Sequence, residues 1–125
     1  MRMITAVHTL IYSDDPDATR AFLRDVLQLP SVGGDEWPIY RTGPSELGVH
    51  PTVSEQDGQA WTTGTHHEIA LMCDDVAATR AELEARGATF TGDTQDMGWG
   101  IGATVEVPGA DGILIYQPRH EVAHS

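Results

Sequence analysis

The sequence predicts an α+β fold in which two βαβββ units stand in tandem and form a concave mixed sheet shaped as a cup. Three observations predict it. The chain matches itself at a shift of 60 residues, where "DDPDATRAFL" from Asp14 and "DDVAATRAEL" from Asp74 agree at seven of ten positions. Each copy follows a short apolar, β-rich run, "HTLIYS" in the first case and "EIALMC" in the second. Three further strand-like stretches follow each copy. A repeated unit of this size cannot bury its apolar face alone, so the two copies complete one core.

The elements follow in order. "ITAVHTLIY" is a β-rich run, and Asp15 caps the helix after it, with Pro16 in the first turn where its missing N–H is harmless. Ala18, Phe22 and Val26 recur at helical spacing, and Leu23 and Leu27 widen that apolar face. Strands are expected near "LPSVG", "WPIYRT" and "ELGVHP". In the second copy Asp75 caps, Val76 and Leu83 lie one heptad apart, and Gly87 stops the helix. "ATFTGD", "IGATVEVP" and "ILIYQP" supply its last three strands. Leu47 corresponds to Leu114 and Pro51 to Pro118. The expected organisation is a single domain over 1–125. Module one covers about 1–52, a polar hinge about 53–64, module two about 65–119, and a tail 120–125. Helices would cover the outside, leaving the concave face, where the halves meet, as the favoured binding place.

Composition narrows the function classes. At 125 residues the chain is long enough to bury a core without staples. No apolar run reaches the roughly 20 residues that span a bilayer, and the amino terminus lacks a basic segment followed by an apolar one. The only cysteine, Cys73, rules out an internal disulfide and fits a reducing cytoplasm, and its place at the end of an apolar run reads as a buried, inert thiol. A formal charge of −12 offers no basic patch for nucleic acid and disfavours anionic membranes.

Taken together, a histidine in the first strand ("AVHTLIYSDD"), "FLRDVLQLP" closing the first helix, and "VEVPGADGILIYQP" near the end resemble the vicinal oxygen chelate superfamily. That family includes glyoxalase I, extradiol dioxygenases, and bleomycin- and fosfomycin-resistance proteins. The resemblance covers essentially the whole chain. It departs at Pro-Gly-Ala-Asp-Gly, where the family usually has Asp-Pro-Asp-Gly. Metal-dependent members hold one divalent cation in the cup, with one ligand from each module's first strand and one from each module's last strand. The resemblance therefore implies His8 as a ligand and, where a metal is bound, Zn, Ni, Mn or Fe; metal-free members need none.

The repeat identifies the partner of His8. His8 lies seven residues before Asp15 and Glu68 seven before Asp75, so His66 and His67 correspond to Ala6 and Val7. Strand alternation puts His8, Leu10 and Tyr12 on one face, and Glu68, Ala70 and Met72 on the matching face, with Ile69 and Leu71 under the helices. Glu68 is thus the ligand candidate and the candidate catalytic base, and His66 and His67 are bystanders. The last-strand ligands stay open. One register turns His50 and Gln117 into the cup, and the other turns Val49 and Tyr116. The glutamate that the family usually carries there is absent from both registers. His120 and His124 receive no role. Tyr12, Tyr40, Met72, Trp99 and Gln117 are the candidate substrate contacts, with Trp99, flanked by glycines, as a lid or stacking wall.

Two function classes follow. One is a metal-dependent lyase, isomerase or dioxygenase, in which His8, Glu68, His50 and Tyr116 supply the ligand set for a chelated oxygen-bearing substrate. The other is a metal-free binding protein of the bleomycin-resistance type that sequesters a cationic or planar compound. In both a homodimer is expected, with a small molecule as the partner.

Overall fold

The computed structural model describes residues 8–34, 36–46, 48 and 52–123. Helix α1 (Pro16–Ala21) continues as a π-helical turn over Phe22–Val26. Two short antiparallel pairs follow, β1 (Ser31–Val32) with β2 (Ile39–Tyr40), and β3 (Val53–Gln56) with β4 (Gln59–Thr62). The second half holds β5 (Ala70–Met72), α2 (Val76–Ala85), β6 (Phe90–Asp96), β7 (Gly100–Val107) and β8 (Ala110–Pro118). These four strands form one mixed sheet in the order β5-β8-β7-β6, with β5 parallel to β8 and the other pairs antiparallel. The class is α+β, and the second unit is βαβββ as expected.

Both helices start where the sequence places them. The Asp15 carboxylate accepts from the Ala18 N–H at 3.2 Å and Asp75 from the Ala78 N–H at 3.1 Å, satisfying amides that the first turn cannot pair. Gly87 follows α2 at φ 97°, the left-handed stop that glycine adopts without strain. The core is the repeat's shared product. Phe22 from the first half packs with Leu83, Phe90, Val105, Ile113 and Ile115 from the second, and Leu23, Val26, Leu27, Ile69 and Leu71 flank it. Both helices therefore cover the same face of the sheet.

Polar contacts fasten the halves together. Thr19, buried at the start of α1, donates its hydroxyl to the Pro108 carbonyl at 2.5 Å, and the Asp14 N–H donates to the Gly109 carbonyl at 2.8 Å. A Cβ on Gly109 would sit 2.6 Å from Ser13 Oγ, so only glycine lets the β7–β8 turn approach this closely. At the other end Arg86 donates to the Val26 carbonyl at 2.8 Å.

The first half differs from expectation in two respects. Residues 8–13, the described part of the expected first strand, form no strand, and their C-terminal end turns onto the β7–β8 turn through Asp14. The polar stretch expected as the hinge carries the β3–β4 hairpin. Its turn residues Asp57 and Gly58 both take positive φ, 52° and 77°, the geometry that matches the twist of paired strands. Val49 and His50 lie outside the described residues.

Candidate functional site

Register decides which side chains reach the face turned away from the helices. Ile113 and Ile115 belong to the core, so Leu114 and Tyr116 alternate onto the open face. Strand partners share a face. Ala70 and Met72 lie opposite Leu114 and Tyr116 across the parallel pair, and Thr104, Gly102 and Gly100 oppose Leu114, Tyr116 and Pro118 across the antiparallel one. The open question of register in the last strand is thereby answered for the second half: Tyr116 faces the open side, and Gln117 faces α2.

Gln117 was expected to touch a ligand. Its amide oxygen instead accepts from the Val76 N–H at 3.2 Å, pairing an amide in the first turn of α2. Tyr40, another expected contact, donates its hydroxyl to the Arg20 carbonyl at 3.4 Å and so serves α1. Tyr12 is 87% exposed in the irregular segment and is held against neither sheet face. Met72 and Trp99 do reach the expected side.

An aromatic corner of the open face gathers around Tyr116. Trp99, from the turn between β6 and β7, meets the Tyr116 ring edge-on, with centroids 5.1 Å apart and planes at 73°, a favoured aromatic geometry. The turn that presents it is tied down: Gly98 donates to Asp96 at 2.9 Å, Met97 to the Gly100 carbonyl at 2.8 Å, and the Arg119 N–H to the Trp99 carbonyl at 2.9 Å. Beneath the Tyr116 ring lies Gly100, where a Cβ would approach within 2.8 Å of the ring; Gly102 likewise leaves room for Met97. The two glycines between bulky neighbours are the floor on which this corner is built.

His120 and Glu46 complete it, and neither was found from sequence. His120 Nε2 lies 3.0 Å from the Tyr116 hydroxyl and 3.6 Å from Glu46 Oε1. Nothing in the periodicity signals either residue, because Glu46 arrives from the first half and His120 follows the last strand irregularly. Burial pushes the Tyr116 phenol above its ordinary pKa, and the Glu46 carboxylate adds to this by opposing a second negative charge. Tyr116 is thus a neutral phenol at neutral pH.

The expected metal set fits poorly. Glu68 precedes β5 on the Ala70–Met72 row, but its side chain is 79% exposed and faces His66 Nε2 at 3.4 Å. The His66 imidazole is raised above its usual pKa, first by the Gly64 carbonyl that Nδ1 meets at 2.8 Å and then by Glu68. One of the two histidines read as bystanders is therefore the carboxylate's partner. His8 is exposed, His50 lies outside the described residues, and Tyr116 is engaged by His120. Among the described residues no three His, Cys, Asp or Glu side chains converge on a point that could hold an ion. Cys73 packs at the edge of the core, and burial raises its thiol pKa, consistent with an inert role.

A groove of about 270 Å³ runs beside β5 between the two helices, lined by Leu27, Leu29, Leu71, Cys73, Leu83 and Arg86 among others. Leu71, Leu83 and Ile115 of the helix-covered side line it and Met72 borders it, whereas Tyr116 and Trp99 are not part of its lining.

Solved structures share this architecture. A lactoylglutathione lyase from Agrobacterium tumefaciens superposes with a TM-score of 0.62 at 18% identity, covering 93% of this chain and 96% of that one. TnmS3, an antibiotic binding protein from Streptomyces sp. CB03234, gives 0.59 at 19% identity, covering 94% and 99%. A member of the glyoxalase/bleomycin resistance protein/dioxygenase superfamily from Sphaerobacter thermophilus DSM 20745 gives 0.57 at 20%, covering 93% and 99%. At these identities the likeness is one of fold. No curated protein matches the sequence. A family profile described as the Glyoxalase/Bleomycin resistance protein/Dioxygenase superfamily matches residues 5–116, and the chain belongs to that superfamily.

Proposed function

We propose that this protein binds a small planar organic compound on the open sheet face, with Trp99 as the stacking wall and Met72, Leu114 and Thr104 as the floor. The observation that carries this reading is the Trp99–Tyr116 pair held over Gly100, an aromatic corner on the side of the sheet that the helices leave uncovered. Binding without a resident metal fits the Glu68 side chain, which is exposed and turned to His66. Likeness of fold to an antibiotic binding protein is compatible with sequestration. The test is titration calorimetry with planar heteroaromatic compounds. Trp99→Ala is expected to weaken binding by roughly tenfold, the loss of one stacked ring. Unchanged affinity in that variant would sink the reading.

A second reading, a metal-dependent lyase, isomerase or dioxygenase, rests on one observation. Glu68 falls on the same row as Ala70 and Met72, where the repeat pairs it with His8. Stoichiometric metal in protein purified without a histidine tag, lost in both His8→Ala and Glu68→Ala, would establish that reading over the first.

The protein is further read as a cytoplasmic homodimer, as its superfamily's pairing of modules across chains implies. Leu10, Tyr12, Trp37, Ile39, Val53 and Trp61, all exposed in the first half, support the pairing, because water-facing rings and branched chains in such number favour association. Light scattering on a sizing column tests it, with a mass of twice 13.5 kDa expected. Among the described residues no helix is long and apolar enough to cross a membrane.

A further inference from the structure

Tyr116 belongs to the open face, yet it is only 6% exposed. Among the described residues, Trp99 from the β6–β7 turn and the imidazole of His120 from the segment after β8 both lie against its ring. The His120 ring lies 5.9 Å from the Tyr116 ring, tilted by 34°. Its Nδ1 faces the Glu121 carbonyl at 2.8 Å. A carbonyl only accepts, so Nδ1 carries a hydrogen, and Nε2 is the atom presented to both the Tyr116 hydroxyl and Glu46. His120 thus makes the contacts that a bound heterocycle would make: an aromatic face, a phenol at a ring nitrogen, and a carboxylate beside that nitrogen.

The segment that delivers this ring is held by separable contacts. Arg119 pairs with Asp96 at 2.6 Å, with both side chains about half exposed, and the Ala123 N–H donates to Glu46 Oε2 at 2.7 Å. Solvent-exposed pairs of this kind contribute little to stability. The charge around the corner is one-sided. Met72, Leu114 and Thr104 are uncharged, Glu46 is the carboxylate that lies 3.6 Å from His120 Nε2, and Arg119 is turned to Asp96. An anionic ligand would meet the Glu46 carboxylate without compensation, whereas a cation in the place of the His120 ring would pair with it.

We propose that His120 is a built-in occupant of the Trp99–Tyr116–Glu46 corner, and that a planar cationic nitrogen heterocycle displaces it and takes its place. This rests on the open-face binding reading above and names its ligand class. The segment Arg119–Ala123 then acts as a strap: closed, it buries the phenol, and displaced, it opens the corner.

The test uses 9-aminoacridine as the planar cation and acridone as its uncharged counterpart, titrated by calorimetry into the full chain and into His120→Ala. His120 is partly exposed, and thermal melting checks that the variant stays folded. Removing the competing imidazole is expected to tighten 9-aminoacridine by about fivefold more than acridone, and Glu46→Gln in the His120→Ala background is expected to abolish that excess. Equal gains for both probes, or no gain for the cation, overturn the proposal. If acridone binds and depends on Trp99 while His120→Ala brings no advantage to the cation, only this inference fails. If neither probe binds either protein, the open-face reading fails and takes the inference with it.

Discussion

Tyr116 shows how much one side chain depends on its neighbours' smallness. Gly100 opposes Pro118 and Gly102 opposes Tyr116 across the β7–β8 ladder, and the ring lies where a Cβ on Gly100 would be. Gly100→Ala puts a methyl 2.8 Å from the ring and 3.0 Å from the Gln117 carbonyl. The backbone oxygen cannot yield as a flexible chain end would, so a loss of about 1–3 kcal/mol is expected in urea unfolding, with a change in Trp99 emission as its ring partner shifts. The same tyrosine has a pH signature. Burial raises its folded pKa above the unfolded value of 10.0, so the folded state holds its proton longer. Its contribution is intact below the unfolded value and is lost as pH rises through the folded one. Phenolate absorbance should therefore include a late-titrating component that Tyr116→Phe removes. That Tyr116 rather than Gln117 faces outward was not legible in the sequence. "ILIYQP" is apolar on both faces, so alternation alone could not choose the register. Burial of Ile113 and Ile115 under the helices chooses it.

At the scale of elements, the two helices were the most legible. Each has an aspartate cap, and α2 has a glycine stop, short-range signals that need no partner elsewhere. Asp75→Ala should lower stability by about 1 kcal/mol while Asp75→Asn keeps most of it, read by chemical denaturation. The α2 amides have a second guard in Gln117, so Gln117→Ala is expected to add to the Asp75→Ala loss rather than replace it. The β3–β4 hairpin was also written locally, in Asp57-Gly58, a turn pair of the strongest kind. It was missed because its flanks are polar and were read by composition as a hinge. The described part of the expected first strand differs for another reason. A β-rich run becomes a strand only where a neighbouring edge accepts it, and residues 8–13 end instead on the β7–β8 turn through Asp14.

For the whole molecule, Phe22 connects the halves. Among the described residues it is the first-half member of a buried cluster otherwise contributed by α2 and the four-stranded sheet. Phe22→Ala should cost about 3–5 kcal/mol and should shift a single unfolding transition, because the cavity opens in a core both halves share. A variant that melts in two steps, with the second half unaffected, would show that the halves fold independently. The sequence by itself determined the repeat, both caps and the strands after α2. Each of these depends on residues near one another in the chain or related by one fixed shift. Only the tertiary structure decided which residues meet. It gave Glu68 to His66, turned Tyr116 outward, and brought Glu46 and His120 to Tyr116 from opposite ends of the fold. Such meetings follow from packing and register, which no spacing along the chain records.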